Sequence, residues 1–170
     1  MSNIDTSQPI NASLQFREAM AHLSSAVSII TTNGIAGKVG LTVSSVSSVT
    51  DAPPTVLFCI NKNSHVHDII KQNGKVCINV LSHEQEDLAK HFAAILESTM
   101  EERFSWDIWD NGFDDLPVLR SAISALQGNI VDTHAVGTHT IFVVEVSHID
   151  VEPNHSLVYF ARQFRSVSID

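Results

Sequence analysis

Basic residues are scarce in this chain: ten Lys and Arg stand against nineteen Asp and Glu, a formal net charge of −9. That deficit excludes nucleic acid and anionic membrane as partners, since both need a basic face. An anionic cofactor stays possible, because a few local donors can reverse the field at one site. Cysteine is nearly absent. Cys59 and Cys77 lie in apolar runs, so no disulfide framework exists, and buried thiols of a cytoplasmic protein are expected. No apolar run approaches the roughly 18 residues of a membrane span. Repeats, low-complexity tracts and Pro/Gly-rich linkers are missing too. What remains is 170 residues with 44% hydrophobic and 17% charged content, enough for one globular domain with a sizeable core. Met1 to Asn11 is polar and lacks the basic-then-apolar order of a signal peptide. Residues 1–12 are expected to be a mobile tail and 13–170 the domain.

Hydrophobic periodicity outlines the elements. Ser13 can cap a first helix, with Phe16, Ala19, Met20 and Leu23 on one face. Ala26 to Thr32, Val39 to Thr50, Thr55 to Asn61 and Lys75 to Leu81 read as strands. Ser64 can cap a short helix that ends at Asn73-Gly74. Ser82-His83-Glu84-Gln85 is a capping box, followed by a stripe of Leu88, Phe92 and Ile95. Ser124 to Val136, Thr138 to Glu152 and Leu157 to Phe164 read as long strands, with turns at Gly137 and at Pro153 to Ser156. The fold class is mainly β with flanking helices, and a closed or nearly closed antiparallel barrel would remove exposed edges.

The chemistry concentrates in two places. In the run Gly40-Leu41-Thr42-Val43-Ser44-Ser45, the residues Val39, Leu41 and Val43 share one face, and Gly40, Thr42 and Ser44 share the other. Glycine and small hydroxyls let a flat polar ligand approach the backbone. After Val43 the alternation slips, which suggests a bulge. At Asn61-Lys62-Asn63-Ser64 a strand ends and a helix begins, so N–H groups, a hydroxyl and an ammonium converge in a way that suits phosphate. Gly34, Gly37 and Gly40 precede a strand and not a helix, so they form a hairpin loop and no dinucleotide fingerprint. The nine histidines show no ligand spacing, and no metal site is expected.

These segments together resemble the short-chain flavin reductase family. The likeness runs from Phe16-Arg17-Glu18-Ala19-Met20 through Val27 to Thr32, Gly40 to Ser45 with Ser48, and Pro53-Pro54. It continues through Asn79-Val80-Leu81-Ser82, His91-Phe92-Ala93, Gly137-Thr138-His139-Thr140 and Tyr159-Phe160. Ala26 to Thr32, Met100 to Ser105 and Ala135 to His139 resemble a branch that serves two-component monooxygenases of aromatic compounds. Two features depart from many relatives: Thr138 stands where they carry aspartate, and Arg162-Gln163-Phe164-Arg165 replaces a glycine-basic-aromatic-histidine ending.

The resemblance implies a split β-barrel of the FMN-binding type and a homodimer. It implies an NAD(P)H-dependent reductase of FMN or FAD that supplies a separate oxygenase. Thr42, Ser44 and Ser45, with the backbone of Gly40, Leu41 and Val43, would hold the flavin ring and ribityl chain. Asn61, Lys62, Asn63 and Ser64 would hold phosphate. His139 would contact the nicotinamide or flavin ring as the catalytic residue. Arg17, Tyr159 and Arg162 would complete the nucleotide contacts. A flavin-binding oxidase and a non-enzymatic flavin or electron carrier remain alternatives on the same barrel.

Overall fold

The structure, a computed structural model, describes residues 9–170. Strands dominate, and every named strand pair is antiparallel. In chain order they are β1 (Ser25–Ala26), β2 (Ser28–Thr32), β3 (Val39–Val43), β4 (Ser47–Asp51), β5 (Pro54–Asn61) and β6 (Lys75–Val80). Then follow β7 (Trp109–Asn111), β8 (Pro117–Leu119), β9 (Ser124–Val136), β10 (His139–Val151), β11 (Ser156–Phe160) and β12 (Gln163–Val167). Among the described residues four α-helices accompany them: α1 (Pro9–Ala21), α2 (His67–Asn73), α3 (Glu86–Phe92) and α4 (Met100–Ser105).

A seven-stranded sheet in the order β3-β2-β6-β9-β10-β5-β4 carries the fold. Its two edge strands, β3 and β4, are joined only by Ser44, Ser45 and Val46. A flat sheet of that size would hold its edges about 29 Å apart, at about 4.8 Å per gap. The chain from Val43 to Ser47 reaches at most about 14 Å. The sheet must therefore curl until its edges approach. The expected single strand over Val39 to Thr50 is thus two strands, and the slip after Val43 marks the crossing and not a bulge. No ladder pairs β3 with β4, so the curl is not closed as a barrel. A side chain helps to hold the seam: Ser45 Oγ accepts from Cys59 N (3.0 Å) and donates to Cys59 O (3.2 Å) on β5.

The curl encloses Ile30, Val39, Val43, Val56, Phe58, Ile60, Ile78, Phe142 and Val144. Phe58 and Phe142 stack across β5 and β10 at 5.2 Å. The outer face of β2 and β3 is covered by α3 and the small sheet β1-β11-β12, over a second core of Val27, Ile29, Leu81, Ala89, Phe92 and Leu157. Strand β2 is buried along its whole length because it serves both cores. Val27 N donates to Leu157 O, Leu157 N to Leu81 O, and Leu81 N to Val27 O, which locks the two sheets together. Inside this junction Asn79 Nδ2 donates to Ile29 O (3.0 Å), and Asn79 Oδ1 accepts from Leu119 N (2.8 Å).

Several boundaries differ from expectation. Helix α1 is described from Pro9, within the stretch expected as a tail, so Ser13 lies inside the helix and caps nothing. Residues 1–8 of the expected tail lie outside the described residues. Helix α2 starts at His67, because a turn from Asn61 to Ser64, with Ser64 N bonded to Asn61 O, precedes it. Ser64 is therefore not its cap. Helix α3 ends at Phe92, which leaves Ile95 beyond it and exposed. The expected strand Leu157 to Phe164 is a hairpin. Ala161 and Arg162 form its turn with φ of 49° and 60°, and neither is the glycine or asparagine that would have announced it.

The seam makes a stability test. Ser45→Ala strips both partners from Cys59 and should cost about 1–3 kcal/mol. Chemical denaturation should register that loss, and the Cys59 amide should exchange faster. Unchanged stability would mean that the edges are held without Ser45.

Candidate functional site

Alternation along β3 places its small residues on the outer face. There Gly40 admits the Phe92 ring so closely that a Cβ would lie 2.8 Å from Phe92 Cε1. Thr42 Oγ1 donates to Ala89 O at 2.7 Å. The small face therefore seats the end of α3, and cavities open beside that contact.

The central cavity, about 510 Å³, is lined by Gly40, Leu41 and Thr42 of β3, by Ser64, His65 and Val66, by Phe92, Ala93 and Ala94, and by Ser98, Met100 and Arg103. None of these residues is a carboxylate. On one side lies a smaller apolar cavity, about 180 Å³, that shares Thr42 and Ala93 with it. Val27, Val43, Ser44, Ile95, Tyr159 and Phe164 complete its wall. Tyr159 and Phe164 face each other across β11 and β12, with ring centroids 5.1 Å apart. On the other side an open cavity of about 610 Å³ shares Ala94, Ser98 and Arg103 with the central one.

Of the residues expected at the site, Gly40, Leu41, Thr42 and Ser64 line the central cavity, and Thr42, Val43, Ser44 and Tyr159 line the apolar one. Asn61, Lys62, Asn63 and His139 gather at one end of the sheet and line neither. His139 pairs with Asn61 in register, and Lys62 N donates to Thr138 O at 2.9 Å. Asn61 Oδ1 accepts from Asn63 N at 2.9 Å, and His139 Nδ1 lies 2.8 Å from Thr138 Oγ1. The Ser45 hydroxyl is engaged at the sheet seam. Arg17 is exposed on α1 and lines neither cavity. Arg162, at the hairpin tip, is held 2.8 Å from Glu18, and this contact lowers the Glu18 carboxyl below its ordinary range.

Arg103 is the residue that the sequence patterns did not single out. It is 8% exposed, and no carboxylate lies within ion-pair distance of it among the described residues. Nε donates to Ser98 Oγ and Nη2 to Ser98 O, both at 2.7 Å, and the guanidinium lies 5.4 Å from the Phe92 ring centroid. Burial lowers its pKa from the ordinary arginine value, against the opposing charge of Glu102. A signal was present: Met100, Arg103 and Phe104 follow i, i+3, i+4 spacing, which puts a cation on the buried stripe of α4.

Residues 20–168 match the family described as "Flavin reductase like domain". The chain is 48% identical over 158 residues to the 4-hydroxyphenylacetate 3-monooxygenase reductase component of Escherichia coli, covering 92% of this chain and 93% of that protein. It is 49% identical over 150 residues to the protein of the same name from Pseudomonas aeruginosa, covering 88% of each. Among solved structures, an NADH:FAD oxidoreductase of Streptomyces globisporus in complex with NAD and FAD fragments superposes with a TM-score of 0.85. The identity there is 25%, over 100% of this chain and 99% of that one. With β3, the Phe92 contact and the Tyr159 strand all inside the matched span, the chain belongs to the flavin reductase like domain family.

Proposed function

We propose that the protein is an NAD(P)H:flavin oxidoreductase, the reductase component of a two-component 4-hydroxyphenylacetate 3-monooxygenase, and that it passes reduced FMN or FAD to a separate oxygenase. The observation that carries this reading is the row of cavities along the outer face of β3. One end is apolar and aromatic, and the middle combines small hydroxyls with a guanidinium and no carboxylate. That set fits a flavin nucleotide: the apolar end suits a ring system, Thr42 and Ser44 offer acceptors at its edge, and Ser64 offers a donor for phosphate. A bound flavin supplies the chemistry, accepting hydride from the reduced nicotinamide. The chain's own residues bind, orient and exclude water, so no acid–base pair is needed. His139, Lys62, Asn61 and Asn63 sit together at the sheet end, where a second nucleotide can be held over an open face.

The sheet, curled with unpaired edges, is read as the split barrel of the FMN-binding type. We read the protein as a homodimer because Phe16 and Met20 on α1, and Leu23 in the turn just after it, stand exposed at 60%, 47% and 63%. Two free cysteines agree with a cytoplasmic setting. No described helix is long and apolar enough to cross a membrane.

Mixing the protein anaerobically with NADH and FMN or FAD should deplete the nicotinamide absorbance while the flavin band bleaches. Flavin binding without NADH oxidation would point to a carrier instead, and oxygen consumption with a tightly held flavin and an organic substrate to an oxidase. Sedimentation at micromolar concentration should give a dimer; a monomer would remove that part of the reading.

His139 provides a finer test. His139→Ala should slow single-turnover flavin reduction or raise the KM for NADH by about tenfold to a hundredfold, the scale of a misplaced reactant. Oxidised flavin should still bind. An unchanged rate with unchanged NADH dependence would assign His139 to the scaffold.

A further inference from the structure

A guanidinium buried without a counter-charge is uncommon, because burial disfavours charge unless an anion compensates it. Arg103 is in that position. Ser98 fixes two of its nitrogens and Phe92 supports its face. Its Nη1 has no protein partner among the described residues, and the side chain belongs to the walls of both the central cavity and the open one. The nearest acid in sequence, Glu102, is committed elsewhere: its Oε2 accepts from Thr99 N at 2.6 Å as part of a capping box.

We propose that Arg103 binds the diphosphate bridge of a dinucleotide whose two halves lie in the cavities on either side of it. Resting on the flavin-reductase reading, this assigns the ring-bearing half to the side of Thr42 and Tyr159. The adenosine half lies in the open cavity beside Leu96, Glu97 and Thr99. The planar fork suits paired phosphate oxygens, and its fixed position reduces the ordering cost of binding. The chemistry is common to FAD and the nicotinamide dinucleotides, and ligand series separate the two.

The experiment compares wild type with Arg103→Met and Arg103→Lys. Affinities for riboflavin, FMN and FAD are read by fluorescence quenching without nicotinamide, and affinity for NAD+ by calorimetry on flavin-free protein. Arg103→Met should weaken FAD, or NAD+, at least tenfold while riboflavin changes less than twofold, and the ligand affected identifies the dinucleotide. Arg103→Lys should recover part of the loss. Equal losses for all four ligands, or none, would make Arg103 a packing residue and overturn the proposal. An FMN loss as large as that of FAD would move the guanidinium to the single ribityl phosphate and overturn the diphosphate assignment.

Should Arg103→Met fail to fold, wild type with sodium pyrophosphate as the probe still decides. Pyrophosphate at millimolar concentration should raise the thermal midpoint and compete with FAD or NAD+. Absence of both effects would overturn the proposal. Wild type that binds no riboflavin and leaves NADH intact would defeat the flavin-reductase reading instead, and pyrophosphate protection compared between wild type and Arg103→Lys would then still test Arg103.

Discussion

Three residues, Ser44 to Val46, must carry the chain from one edge of a seven-stranded sheet to the other. Much of the architecture follows from that short tether. It bends the sheet until Ile30, Val39 and Val43 pack in one cluster with Phe58 and Phe142 inside the curl, and it leaves the opposite face of β3 looking outward. On that outward face the side chains are small, so α3 can dock at Gly40 and Thr42 and still leave room beside them. Core and cavity are the two sides of one strand. The hydroxyl of Ser45 pins the tether to β5, bonding to both the N–H and the C=O of Cys59.

Electrostatics reinforces this division. A chain of net charge −9 repels anions at long range. At the cavity floor that general field gives way to a buried guanidinium and to hydroxyls, with no acidic side chain in the lining. Elsewhere several cations are paired: Lys75 with Asp114, Lys90 with Glu86, Arg120 with Asp110 and Asp107, and Arg162 with Glu18. These pairs are at the surface, where screening leaves little net stabilisation. A separate cavity beside Asp110, Asp150 and Glu152 has the opposite character and suits no phosphate.

Much of this was legible in residue order, and the exceptions have physical reasons. Strand β9 has the boundaries its β-branched run predicts, and Gly137, with φ of 54°, turns the chain into β10 as expected. The alternation in β3 correctly separated Val39 and Val43 from Gly40 and Thr42. The slip at Ser45 was visible too, but period alone cannot distinguish a bulge from a crossing to a distant edge. Ser64 looked like a cap; the turn that Asn61 builds postpones the helix to His67. The cavity residues Thr42, Ser44, Ser64 and Tyr159 were within reach because type and parity mark them. Arg103 was not singled out, since a basic residue in a charged hexamer reads as solvated until its helix face is known. His139 and Lys62 were placed in one neighbourhood by register, a relation between strands far apart in sequence.

The turn at Ala161 and Arg162 has a further meaning. Both residues hold a left-handed backbone that costs free energy for a side chain with a Cβ. Ala161 N bonds to Ala21 O at the end of α1, and Arg162 reaches Glu18 one turn earlier on the same helix. The hairpin tip is thus shaped by a helix from the opposite end of the chain. A tip that depends on such a contact closes late, because the long loop between positions 21 and 161 must be closed first. The first helix and the last hairpin should accordingly appear and disappear together, as one cooperative unit in which the beginning of the sequence and its end are each other's template.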